Sequence, residues 1–254
     1  MTIDRGTMRQ LLLKSWLETR GRFLAALLIL SLLGVSTVVR AGATIAGWEH
    51  FHGGERMPYP LYVWLSLSHG YLQFIWIICA IVLGLGGLVR EHTLGTAGFT
   101  LSMPVSRRAI LVTRAAVGGG EAVVLAFVPE LLVAILSPLA GYHYPPAQGA
   151  LFASLIAGGG LVFYALGFLL SHLLAGEYAA PSAGLAAAAI WYVVAKLPGF
   201  DWLNVFKLMT GAEYMVGKTY LLGSPYPLAA VALWLAVAGA ILSASLMLVR
   251  RRDF

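Results

Sequence analysis

Charge is what this chain has least of. Asp, Glu, Lys and Arg make up 11% of its 254 residues, against 59% hydrophobic residues. Too little polar surface remains to cover a core in water, so a soluble globular fold is a poor match. Cysteine is missing except for Cys79, which excludes an internal disulfide and redox chemistry by a thiol pair. The alternation of apolar and polar residues that a membrane β-barrel needs over about 10 positions is also missing. What is present instead is continuous apolar sequence.

Residues 23–39, 61–89, 149–174, 181–195 and 227–249 contain no Asp, Glu, Lys or Arg. A bilayer core about 30 Å thick takes about 20 apolar residues as a helix. A further stretch, 110–140, is equally long but carries Arg114, Glu121 and Glu130. The expected fold class is an all-α integral membrane protein with six spans: 23–39, 61–89, 110–140, 149–174, 181–197 and 227–249. The fifth needs its flanks to reach across. The leader before the first span holds charges of both signs and is too long for an ordinary cleaved signal, so that span is expected to stay.

The net charge of +6 is explained by orientation rather than by nucleic acid. With the N-terminus inside, twelve Lys or Arg fall in inside segments and five outside, the usual positive-inside bias. Both termini are therefore expected in the cytoplasm. Within residues 1–22, Met8, Leu12, Leu13, Trp16 and Leu17 share one side of a helix, and Arg9, Gln10, Lys14 and Glu18 cover the rest. This pattern suits a helix lying in the membrane interface; a plain extension of the first span is the alternative. Residues 198–226 form the longest exterior connector. Its apolar and aromatic content, including Trp202, Phe206, Leu208 and Tyr214, suits an interfacial or re-entrant helix.

The connector 90–109 is the most informative polar segment. Residues 90–108 read REHTLGTAGFTLSMPVSRR. A short helix fits residues 91–102, Pro104 interrupts it, and Ser106 can cap the helix of the third span. A helix held at the inner surface between two spans can pass a push from a soluble partner to both.

Glu91, Gly95–Thr96 and the run Leu101, Ser102, Met103, Pro104, Val105, Ser106, Arg107 resemble the cytoplasmic signature of ABC-2 type transporter permeases. The six-span plan, the N-terminal helix and the basic ending 251–254 resemble that family too. The nitrous-oxide-reductase maturation permeases are a conceivable neighbouring branch. At Ala97–Gly98–Phe99 the chain departs from the basic or bulkier aliphatic run often found there. The resemblance implies a single permease domain over 1–254, paired with a second copy in a bacterial or archaeal cell membrane. Small residues around 84–87 and 118–120 are expected to pack against that copy. Two cytoplasmic ATP-binding cassette subunits would bind ATP and magnesium, leaving this chain without catalysis of its own. The resemblance further implies an ATPase-coupling element at Glu91, Leu94, Gly95, Thr96, Phe99, Leu101, Met103, Pro104 and Arg107. A structural or assembly factor of a membrane complex, and an integral membrane enzyme, are the alternative readings.

Other candidate sites are weaker. Residues 212–219 end in Gly217-Lys218-Thr219 but have Ala212 where a phosphate loop needs glycine. Glu49, His50, His52 and Glu55 have residue types that could hold a divalent ion, although exterior loops often carry such residues without one. Arg114 and Glu121 share a helix face, about 10.5 Å apart along the axis. They are candidates for a transport path or an interhelical pair, because charges at membrane depth are costly without partners. Glu130 lies nine residues beyond Glu121 and on the opposite side of the helix, beside Pro129.

Overall fold

The computed structural model describes residues 5–85, 106–174, 178–217 and 219–251. The first helix, α1 (Arg5–Phe51), runs unbroken for 47 residues, about 70 Å at the α-helical rise. The alternative of residues 1–22 as a plain extension of the first span is the form seen, and the helix also runs past residue 39, where that span was expected to end. The physical reason is the lack of a strong breaker: no proline occurs before Pro58, and single glycines cost only about 1 kcal/mol each in a helix. Gly53 and Gly54, at φ +64° and +92°, turn the chain after α1.

Extended backbone at Pro58 starts the next helix, with Pro60 in the first turn, where its missing N–H leaves nothing unpaired. Instead of a straight span, the chain forms α2 (Tyr59–Val63), a π-helical segment (Trp64–Tyr71) and α3 (Leu72–Gly84). The break is at Gly70, with φ −83° and ψ −110°. After the connector come α4 (Arg107–Leu136), α5 (Pro146–Leu173) and α6 (Ala179–Val194). A short helix, α7 (Val205–Thr210), lies within the long connector, and α8 (Leu228–Arg251) ends the described chain. Among the described residues the β structure is an isolated bridge between Met215 and Leu222.

Five helical stretches are long and apolar enough to cross a membrane: Gly6–Phe51, Tyr59–Gly84, Arg108–Ala140, Pro146–Leu173 and Leu228–Leu248. This is the make-up of a multi-pass membrane protein. Ala179–Val194 is shorter, about 24 Å at the helical rise. One end of the bundle holds the first turns of α1, the end of α3 and the start of α4. The other, the loop end, holds residues 52–58, 141–145, 195–217 and 219–227.

Helix α5 is the centre of the bundle, packed by α3, α4, α7 and α8. Trp76, Phe152, Phe163 and Tyr164 are buried around it. Its contact with α3 is close at both faces. A Cβ at Gly84 would lie 2.6 Å from the Phe168 nitrogen, and one at Gly167 would lie 2.6 Å from the Ile81 oxygen. Small residues permit this backbone approach, which provides van der Waals attraction where lipid offers no hydrophobic drive. Gly84 and Gly118 were expected to face a second copy of the chain. Here Gly84 closes on α5, and Gly118 faces the Tyr164 hydroxyl at 2.6 Å from a built Cβ. Both are used for packing inside one protomer.

The connector after α6 is bound to the bundle rather than loose. Val205, Leu208 and Met209 are buried and face Gly159 on α5. Asn204 caps α7 by accepting from the Lys207 N–H, and Gly211 at φ +67° ends it. The Gln148 side chain donates to the Leu222 carbonyl at 3.2 Å and accepts from the Leu222 N–H at 2.9 Å. The apolar residues of α7 are thereby covered by protein, whereas Phe200, Trp202 and Val216 stay exposed.

Candidate functional site

The densest polar contacts join α1, α3 and α4 at the end opposite the loops. Arg114 on α4 is buried and reaches Glu18 on α1, with Nη2 2.5 Å and Nε 3.1 Å from Glu18 Oε2. Lys14, one turn before Glu18, adds a looser contact at 3.7 Å. One residue further along α1, the Thr19 hydroxyl donates to Glu121 Oε1 at 2.6 Å. Arg22 donates to the Val82 carbonyl at 2.9 Å and to that of Leu85 at the end of α3, and lies within electrostatic reach of Glu121. The bonds made by Arg114 and Arg22 are charge-assisted, and so stronger than neutral ones. Tyr164 completes the knot from α5, its hydroxyl 3.2 Å from the Ala115 carbonyl.

The helical repeat explains why this set assembles. Glu18 and Arg22 are one turn apart on α1, and Arg114 and Glu121 two turns apart on α4, so each pair presents to one side. Arg114 and Glu121 each find their partner on α1, not on each other. Sequence reasoning missed Glu18, Thr19 and Arg22, because residues 1–22 were read as a helix lying flat. The available signal was an acid and a base one turn apart, directly before the apolar run.

A second polar seam holds the kinked segment. Glu130 on α4 is fully buried, and the Ser68 hydroxyl donates to its Oε1 at 2.8 Å. Its Oε2 has no hydrogen-bond partner among the described residues. Trp64, the first residue of the segment, and Gln73, just beyond it, donate to the carbonyls of Thr210 and Phe206 on α7 at 2.9 and 3.0 Å. Trp76 donates to the Ala122 carbonyl at 3.1 Å. Ser137 donates to the Val133 carbonyl at 2.6 Å and so accepts from Tyr59 at 2.7 Å. Tyr144 is buried beside Glu130 and Tyr59, and its phenol titrates above its usual range because of that burial, then those two neighbours.

The remaining expected sites are not assembled into one centre. Glu91, Leu94, Gly95, Thr96, Phe99, Leu101, Met103 and Pro104 lie outside the described residues, and Arg107 is the first residue of α4. The Ser106 cap is present, its hydroxyl accepting from the Ala109 N–H at 3.2 Å. Glu49, His50, His52 and Glu55 do not converge, and no metal-holding group occurs among the described residues. His52 instead stacks on Trp48 at 3.8 Å and bonds its carbonyl. At the loop end a cavity of about 250 Å³ is lined by Ile45, Arg56, Met57, Pro58, Tyr59 and Tyr142.

A scan against protein-family models and a search of curated proteins each found no match.

Proposed function

We propose that this chain is the membrane-spanning permease subunit of an ABC transporter, moving its substrate with energy from a separate cytoplasmic ATPase. The observation that carries the reading is the connector between α3 and α4, whose residues 91–107 resemble the coupling segment of ABC-2 permeases. Both termini lie in the cytoplasm, and α6 is the fifth and shortest of six spans. Two ATPase subunits, binding ATP and magnesium, act on two copies of the permease.

The inner knot supports this assignment mechanically. The connector leads directly into α4, and α4 is tied to α1 through Glu18 and Thr19 and to α3 through Trp76. Arg22 ties α1 to the last carbonyls of α3. A push on the connector therefore moves three helices as one body instead of bending one. The charge-assisted contacts of Arg114 and Arg22 resist their separation.

The test is purification from native membranes followed by site-specific crosslinking from residues 94, 99 and 103. Crosslinks to a co-purifying ATP-binding cassette subunit, altered by ATP, are the expected result. Phe99→Ala should lower ATPase association or coupled turnover while membrane insertion persists. A connector that never contacts an ATPase through the nucleotide cycle would refute the mechanism.

A further inference from the structure

We propose that Glu130 is a proton-binding site that controls the kink of the second membrane helix, with the protonated acid holding the π-helical form. The carboxyl group is fully buried. One oxygen accepts from Ser68, and the other has no partner among the described residues. No described Lys, Arg or His forms an ion pair with it. An ionised carboxylate in that setting loses its hydration and receives one hydroxyl in return, a cost of several kcal/mol or more. A neutral acid forgoes one hydrogen bond, about 1–3 kcal/mol. The neutral acid is therefore the form that fits this packing.

The Ser68 contact makes the protonation state mechanical. Ser68 lies within the π segment Trp64–Tyr71, and insertion of one residue into an α-helix rotates the residues beyond it by about 100°. Resolving the segment into regular α-helix would turn Ser68 out of register with Glu130, or turn Trp64 and Gln73 out of register with α7. Such segments are metastable and recur at functional sites. Gly70 makes this one accessible, since a Cβ there would lie 2.6 Å from the Leu65 carbonyl oxygen. On ionisation the acid O–H bond breaks, its electron pair stays on the carboxylate, and the proton passes to water. Hydrating the carboxylate opens the seam and releases Ser68. The kinked form is thus held at low pH and released as pH rises.

The surroundings leave Glu130 as the group that titrates. Tyr144 is buried and lies within electrostatic reach of Glu130 and of Tyr59. His69 adjoins Ser68 but is exposed and lies against Trp64. The neighbouring stretches 30–38 of α1, where Gly34 packs on Pro129, and 146–156 of α5, where Gly149 packs on Glu130, contain no titratable side chain. Glu130 is ten residues from Ala140 at the end of the helical stretch, about 15 Å along the axis. The proton therefore exchanges with the loop end.

The inference does not rest on the ATPase-coupled reading, and its test uses no nucleotide. The full chain in lipid nanodiscs is titrated from about pH 5, where an ordinary carboxyl is already mostly ionised, to about pH 10, beyond strongly displaced carboxyls. Infrared difference spectra follow the acid C=O stretch, and amide hydrogen exchange follows residues 64–73, corrected for the intrinsic effect of pH. Wild type should lose an acid band as pH rises, and exchange in 64–73 should accelerate about tenfold over the same interval. Glu130→Gln should lack both changes and exchange slowly throughout. Absence of a Glu130-dependent acid band at low pH, or the same exchange transition in the glutamine variant, would overturn the proposal. If Glu130→Gln does not fold, Ser68→Ala decides: its acid band should shift and its exchange transition should separate from the titration. An unchanged band and transition in Ser68→Ala would also overturn it.

Discussion

Glu121 and Glu130 stand nine residues apart on α4, both buried, and the bundle treats them differently. Both carboxyls accept one hydroxyl and keep one oxygen without a partner among the described residues, but Glu121 lies within electrostatic reach of Arg22 and the Arg114–Glu18 pair closes the same seam. Glu130 receives one serine hydroxyl and the field of no described cation. The first arrangement resembles a rivet, in which a carboxylate and guanidinium groups join helices that move together. The second suits a neutral acid that gives up its proton. Depth along α4 separates them, because the charged first turns of α1 reach Glu121, whereas the stretch of α1 beside Glu130 is uncharged.

The comparison is broken most directly by removing one group from each seam. Arg114→Met leaves Glu18 facing α4 without its guanidinium. It should destabilise the protein by about 3 kcal/mol, the lower part of the range for breaking a buried pair, since Glu18 is partly exposed. Glu130→Gln preserves shape and the acceptor for Ser68, so it should cost less than about 1 kcal/mol. Thermal unfolding in detergent, followed by intrinsic tryptophan fluorescence, measures both. A glutamine variant more damaged than Arg114→Met would invert the assignment of charged and neutral seams.

A smaller effect sharpens the role of Glu121. Thr19→Val keeps the side-chain shape on α1 but removes the hydroxyl that donates to the carboxylate. A loss of about 1.5–3 kcal/mol is expected for a hydrogen bond to a charged group. In a Glu121→Gln background the same change should cost about half as much, because the bond is then neutral. The double-mutant cycle reads this difference, and equal costs in both backgrounds would show that Glu121 is uncharged there.

The smallest effect belongs to the loop end. Lys207 contacts Asp201 at 3.0 Å and Glu213 at 3.2 Å, with all three well exposed. The Asp201 hydrogen bond, then Glu213, hold its ammonium above the usual lysine range. Its contribution is fully present below the unfolded-state value and disappears as pH rises through the folded-state value. Lys207→Gln should leave the unfolding temperature unchanged within error at neutral pH in moderate salt, because exposed pairs are screened. A small difference at low salt should vanish only in strongly alkaline solution.

Much of the architecture was legible because apolar length in a helix relates directly to bilayer thickness. The stretches 110–140 and 149–174 reappear as α4 and α5 nearly residue for residue, and Ser106 stands where a cap was expected. Positions of charges were equally plain, and Arg114 with Glu121 stood out as charges that need partners at membrane depth. Their partners were not legible. Glu18 and Thr19 lie about a hundred residues away, in a segment whose one-sided apolar pattern fits an interfacial helix and a packed continuation of α1 equally well. The kink at Gly70 was hidden too, since a glycine within an apolar run is compatible with a straight helix.

Sequence alone determined that this is a multi-pass helical membrane chain without a disulfide, because backbone groups in lipid must bond within their own helix and long uncharged runs allow little else. It also determined which few side chains would carry charge into the bundle. Only the tertiary structure decided which of them meet. Helix rotation and crossing are set by close contacts such as Gly84 on Gly167 and Gly34 on Pro129, which no single helix encodes. Those contacts bring Arg114 to Glu18 and Glu121 to Thr19. They leave Glu130 with Ser68, because burial and partner geometry are properties of the assembled helices.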